Sequence, residues 1–225
     1  MNAGFQVLKR KRAVDADTTA KFAALPVANI SDAMHRVVAG GPRLRPLHKG
    51  GVLAGPALTV KVRPGDNLMI HMALNMAVEG DVIVVDAGGD LTNALIGERM
   101  IAYCVAKKFA GIIINGSVRD LAWIREHDFP VYAAGVTHRG PYKDGPGEIN
   151  VPVAFDGLVI EPGDLVVGDD DGLLCIPYDA TKDVLVKAQA KHKQETDTFA
   201  DIGKGDNNRA YYEKQLRDKG CYFEE

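Results

Sequence analysis

Two apolar runs flanking one helical pattern constrain this chain more than any other feature. Val82-Ile83-Val84-Val85 and Ile112-Ile113-Ile114 read as strands covered on both faces. Each feeds a glycine-bearing loop that opens a helix. The first loop holds Gly88-Gly89-Asp90 and leads to Ala94-Leu95-Ile96-Gly97-Glu98-Arg99-Met100; the second is Asn115-Gly116-Ser117-Val118-Arg119-Asp120. Between the runs a helical pattern extends from about Leu95 to Phe109. A crossover of this length favours parallel strands, so both loops are expected at one edge of the sheet. Free N–H groups at the helix start would then face the Arg119 guanidinium and the Asp120 carboxylate, a set able to hold an anion and a hard cation.

Composition narrows the classes. A chain of 225 residues, 46% hydrophobic, can bury a substantial core in one domain. A net charge of −3 gives no bulk attraction for nucleic acid or an anionic membrane. No segment approaches the roughly 18 uninterrupted apolar residues of a transmembrane helix. Cys104, Cys175 and Cys221 are odd in number and widely spaced, which reads as reduced thiols in a cytoplasmic protein. The first sixteen residues read as loosely ordered, with Lys9-Arg10-Lys11-Arg12 a solvated charge run.

Along the rest of the chain, a helical pattern covers Thr18 to Val38, broken at Pro26, with Asn29 or Ser31 able to cap a second turn. Residues 39–51 form a loop, and Ala57 to Val62 alternates like a strand. Asp66 caps a helix running through His71 to Val78. After Asp120 come a short helix, Leu121 to Glu126, and the strand Val131-Tyr132-Ala133. The glycine-rich loop from Thr137 to Glu148 leads into short strands at Val151–Phe155, Leu158–Ile160, Leu165–Val167 and Leu173–Ile176. From Tyr178 the chain is helical to about Ala200, then a polar, aromatic-bearing tail reaches Glu225. With no linker dividing it, the chain reads as one domain, residues 1–225, with helical arms at both ends of a core near residues 25–180.

The spaced set Gly88-Gly89-Asp90, Gly97-Glu98-Arg99-Met100 and Gly116-Ser117-Val118-Arg119-Asp120 resembles the signature of the RraA-like family. Arg139-Gly140-Pro141, Val151-Pro152-Val153, Pro162-Gly163-Asp164 and Gly168-Asp169-Asp170-Asp171-Gly172 fit it too. That family includes the metal-dependent 4-hydroxy-4-methyl-2-oxoglutarate / 4-carboxy-4-hydroxy-2-oxoadipate aldolases and a shorter regulator of ribonuclease E. The resemblance implies an α/β fold, a three-layer β/β/α sandwich like the swivelling phosphohistidine domain. It implies trimers or hexamers with active sites between subunits. The implied activity is cleavage of a 4-hydroxy-2-oxo di- or tricarboxylic acid to pyruvate and a second oxo acid, with oxaloacetate decarboxylation open to the same site. The alternative the family carries is a non-catalytic regulator binding a ribonuclease or helicase.

On that resemblance, Arg119 clamps the keto acid, and Asp120 is the one direct ligand to Mg²⁺ or Mn²⁺. A single carboxylate suffices because Mg²⁺ keeps waters and takes substrate oxygens. Backbone amides of Gly97, Glu98, Arg99 and Met100 receive the substrate carboxylate. Arg99 stands where related aldolases have apolar residues, so it either alters specificity or points to solvent. Glu195, in Lys191-His192-Lys193-Gln194-Glu195, is placed to hold a metal-linked water in a neighbouring subunit's site, or is a solvated helix charge. His138 and Arg139 lie in a loop that either covers the site or is plain surface. Asp169-Asp170-Asp171-Gly172 reads as a tight turn rather than a calcium loop. His71 reads as a packed histidine, and the adjacent Lys107 and Lys108 as solvent-facing rather than a Schiff-base pair.

Overall fold

The computed structural model describes residues 2–37, 40–205 and 208–224. Val38 and Ala39, which end the first helical pattern and open the following loop, lie outside the described residues, as does Glu225. The elements in chain order are β1 (Phe5–Val7), α1 (Ala16–Ala23), α2 (Val27–Ala33), β2 (Arg45–Pro46), β3 (Leu53–Val62), α3 (Leu68–Met76), β4 (Val82–Asp86) and β5 (Ala94–Ile96). They continue with α4 (Glu98–Ala106), β6 (Gly111–Val118), α5 (Leu121–Glu126), β7 (Val131–Val136), β8 (Gly147–Ile149), β9 (Val153–Phe155) and β10 (Leu158–Ile160). The last are β11 (Leu165–Asp169), β12 (Gly172–Ile176), a 3₁₀ turn at Tyr178–Ala180, α6 (Thr181–Ile202) and α7 (Arg209–Asp218).

The main sheet runs β1-β8-β3-β4-β6-β7-β2, with β5 added to β6 and the β11–β12 hairpin added to β3. β3, β4, β6 and β7 are mutually parallel, as the crossover argument requires. The apolar runs show why these strands are continuous in hydrophobicity: alternate residues enter opposite cores. Leu58, Ile83, Val85, Ile112, Ile114 and Val131 meet α3, α4 and α5 on one face. Ala57, Val82, Val84, Ile113 and Tyr132 meet β9, β10 and the hairpin on the other. This is the β/β/α layering. The outer side of the hairpin, Leu165, Val167, Leu174 and Ile176, is covered by α1, α2 and α6, so the two helical arms pack together as a further layer.

Three local expectations are corrected. Residues 94–96 do not belong to the helix: Ala94, Leu95 and Ile96 are each at most 2% exposed and extend the sheet along β6, so α4 starts at Glu98. Residues 2–16 are ordered, because β1 adds in parallel to β8 and the two arginines of the basic run pair within the chain, while Lys9 and Lys11 stay exposed. Arg10 pairs with the buried Asp81 at 2.6 Å, and Arg12 bridges Glu161 and Asp179 at 2.9 and 3.1 Å. The start of α2 is capped neither by Asn29 nor by Ser31. The Val27 N–H donates to the carboxylate of Asp169 at 3.0 Å, which also closes the tight turn by accepting from the Asp171 N–H at 2.9 Å.

Candidate active site

At the ends of the parallel strands, Asp120 sits just beyond β6 with φ of 60°, a left-handed conformation that Asp tolerates better than most residues. That turn directs its carboxylate away from its own helix and across to α4. Oδ2 accepts the Glu98 N–H at 2.9 Å and lies 3.6 Å from Arg119 Nε. The backbone of Arg119 is fixed in turn, its N–H donating to the Ile96 carbonyl at 3.0 Å. The start of α4, Arg119 and Asp120 therefore meet. Gly97 explains why they can: a Cβ there would collide with Asp120 Oδ2 and come within 2.9 Å of Arg119 Cγ. The side chains of Arg119 and Asp120 are 43% and 35% exposed. Arg119 is therefore not neutralised by a second buried acid; Asp86 instead accepts from Asn115 and Gly88.

These groups open onto a cavity of about 600 Å³. One wall is Ala94 to Met100 with Tyr103; the second is α3, through Asn67, His71, Leu74 and Asn75; the third is Pro141 and Lys143. A smaller recess of about 260 Å³ lies on the other side of Arg119 and Asp120, against Val136, Thr137 and His138. The loop after β7 is stitched into place along both. The Ala94 N–H donates to the Arg139 carbonyl at 2.8 Å, Asn93 Nδ2 to the Gly140 carbonyl at 2.5 Å, and the Asn67 N–H to the Tyr142 carbonyl at 3.0 Å. Asp66, wholly buried, is the anchor: its carboxylate accepts the N–H groups of Leu68, Asp144 and Gly145 at 2.6–2.9 Å. Burial opposes its charge, but those three amides and the Arg63 guanidinium outweigh it and hold its pKa below the ordinary value.

The sequence reading left out most of the α3 wall. Asn67, His71, Leu74 and Asn75 follow the i, i+4, i+7, i+8 spacing of one helix face, the signal that could have found them. His71 is half-buried in that wall; burial first, and the charge of Lys143 second, lower its pKa, so it is a neutral imidazole at pH 7. Asn67 donates to the Leu95 carbonyl at 2.8 Å, tying α3 to the start of α4. Neither core thiol competes for the chemistry, since burial pushes Cys104 up to about 12 and also raises Cys175. Lys107 and Lys108 are exposed, as read from sequence.

Glu195 is not brought to this cavity within the protomer. It lies on α6, in the layer of α1 and α2, where Lys191 Nζ pairs with it at 2.9 Å and Asn29 Nδ2 donates to it at 2.5 Å. The Lys191 contact first, and Asn29 second, lower its pKa and keep it ionised. For a metal, the described residues contain no cluster of three His, Cys, Asp or Glu. The donor set fits a hydrated hard cation nonetheless. Asp120 Oδ1 has no partner among the described residues, and the Glu98 carboxylate lines the same cavity without one.

Comparisons with known proteins identify the family. The RraA-like family model, described as Aldolase/RraA, matches residues 27–175, and the chain belongs to that family. A protein of Halalkalibacterium halodurans, provisionally named 4-hydroxy-4-methyl-2-oxoglutarate aldolase, is 38% identical over 203 residues, 89% of this chain and 96% of its own length. One of Deinococcus radiodurans with the same provisional name is 36% identical over 68% of this chain and 94% of its own. Among solved structures, Streptomyces coelicolor RraAS2, described as an unusual member of the RNase ES inhibitor RraA protein family, superposes with a TM-score of 0.75 at 26% identity, covering 83% of this chain and 98% of that one. Among the described residues no helix is long and apolar enough to cross a membrane.

Proposed function

We propose that the chain is a divalent-metal-dependent aldolase that cleaves a 4-hydroxy-2-oxo acid to pyruvate and a second oxo compound. The observation that carries this reading is the meeting of Arg119, Asp120 and the amide end of α4 around Gly97 on one cavity. The provisional names of the two bacterial relatives point the same way. Asp120 would hold Mg²⁺ or Mn²⁺, and the ion would supply Lewis-acid polarisation of the 2-oxo group. Of the amides expected to receive the C1 carboxylate, the Glu98 N–H is taken by Asp120 and the Met100 N–H by the Gly97 carbonyl, so the Gly97 and Arg99 N–H groups are left for it. Arg119 donates its two-pronged fork to the oxygen on which charge develops. Loss of the C4 hydroxyl proton makes C4 a carbonyl, and the C3–C4 bonding pair moves into the C2–C3 enolate. Protonation at C3 then gives pyruvate. His71, in the cavity wall, is one of the protomer's own groups able to accept or return a proton, with the Glu98 carboxylate in the same cavity. Oxaloacetate decarboxylation would use the same enolate.

Glu195 would join this machinery only from a neighbouring copy, consistent with an assembly of trimers or hexamers. α7 supports such an assembly: none of its residues is buried, and Tyr211, Tyr212 and Leu216 are exposed on it. The test is pyruvate release from 4-hydroxy-4-methyl-2-oxoglutarate with Mg²⁺ or Mn²⁺. We expect turnover that disappears after exhaustive EDTA treatment and in Asp120→Ala. Full activity under either condition would refute the assignment of Asp120. No turnover with any metal, together with binding to a ribonuclease, would favour the regulator that the fold also supports.

A further inference from the structure

We propose that Arg99 is a specificity-determining residue that pairs with a carboxylate on the C4 half of the substrate, the half that leaves as the second oxo acid rather than as the enolate. This rests on the oxo-acid reading of the cavity. Arg99 occupies the first turn of the nine-residue helix α4, where the helix dipole disfavours a cation. It has no hydrogen-bond or ion-pair partner among the described residues. Its neighbour Glu98 cannot compensate, because adjacent helical residues do not face each other. A local choice that works against its own helix, with no intramolecular partner, is the kind of conflict a chain retains where a ligand resolves it.

The surroundings say what that ligand is. Arg99 lines the cavity together with Arg119 and Lys143, and Lys143 likewise forms no ion pair among the described residues. Only Arg119 has a carboxylate beside it, Asp120. The same lining holds the Glu98 and Asp120 carboxylates, the groups left for a divalent ion; with those acids engaged, the three cations suit a polyanion better than a monocarboxylate. Size agrees. At roughly 30 Å³ per heavy atom, water's share in the liquid, pyruvate fills less than about 180 Å³. The cavity holds about 600 Å³, leaving room for a charged second half. With Arg119 and the free amides at the start of α4 occupied by the enolate-forming half, Arg99 and Lys143 remain for the other carboxylate.

The experiment compares 4-hydroxy-4-methyl-2-oxoglutarate, whose leaving half carries a carboxylate, with 4-hydroxy-2-oxopentanoate, whose leaving half is uncharged. The ratio of their kcat/KM values is measured in the native protein, Arg99→Leu and Arg99→Lys. Losing one charge-assisted contact should lower that ratio by about 10- to 100-fold in Arg99→Leu, with Arg99→Lys retaining part of it. An unchanged ratio, or equal losses on both substrates, overturns the proposal. Calorimetric titration of the native and Arg99→Leu proteins with propane-1,2,3-tricarboxylate and with pyruvate, without metal, decides the matter independently of turnover. If the native protein cleaves neither substrate, the aldolase reading falls. Arg99 is then judged by binding alone: an undiminished tricarboxylate affinity in Arg99→Leu overturns its role, and a selective loss upholds it.

Discussion

Replacing Gly97 by alanine isolates the site from the fold. The backbone there has φ of −153°, extended geometry that any residue adopts, so the substitution adds no backbone strain. Its whole effect is the new methyl group. That Cβ would collide with Asp120 Oδ2 and press to 2.9 Å from Arg119 Cγ, so the carboxylate must leave the Glu98 N–H it now accepts at 2.9 Å. Losing one helix-start contact should cost about 1 kcal/mol of stability, a shift of a few degrees in Tm. Catalysis should suffer more, because Asp120 and Arg119 both move. A displaced charged contact is worth about 1.5–3 kcal/mol, so kcat/KM for pyruvate release should fall about 10- to 100-fold or further. Steady-state kinetics with thermal unfolding of the same preparation separates the two quantities. Native-like activity in Gly97→Ala would refute the claim that this contact set is the catalytic core. A loss of activity matched by collapse of the fold would refute the argument that the glycine serves the site.

Asp66→Asn should destabilise the protein by about 1–3 kcal/mol at pH 7 in urea titration, because an amide nitrogen would face N–H groups that the carboxylate now accepts. Since the folded pKa of Asp66 lies below its ordinary 3.8, its contribution is present above that value and fades as pH falls through the folded value; the native and variant stability curves should converge there, and a constant gap would contradict the assignment. Glu195→Ala and Arg119→Ala should each be nearly inactive, yet regain partial activity when mixed and reassembled, with light scattering reporting a trimer or a multiple of it. Full activity in Glu195→Ala would make that residue a helix-face charge.

The candidate site was legible from sequence where it is local. The runs Val82–Val85 and Ile112–Ile114 carry their strand identity in composition, and their separation dictates parallel pairing, which puts Gly97 and Asp120 at one edge. What stayed hidden depends on contacts distant in the chain. Leu95 has the spacing of a helix residue, but sheet pairing with β6 and full burial decide its state. Arg10 and Arg12 look solvated until Asp81, Glu161 and Asp179 arrive from elsewhere in the chain. His71 reads as core on its own helix; only the loop carrying Lys143, anchored by Asp66, turns that face into a cavity wall.

A crystal structure with oxalate and Mg²⁺ puts the central claim at most direct risk, since oxalate stands in for the carboxylate and enolate oxygens of the pyruvate half. The account predicts oxalate between the first amides of α4 and the Arg119 guanidinium, with the ion held by Asp120 as its direct protein ligand. Oxalate bound elsewhere, or an ion held by residues other than Asp120, would contradict it.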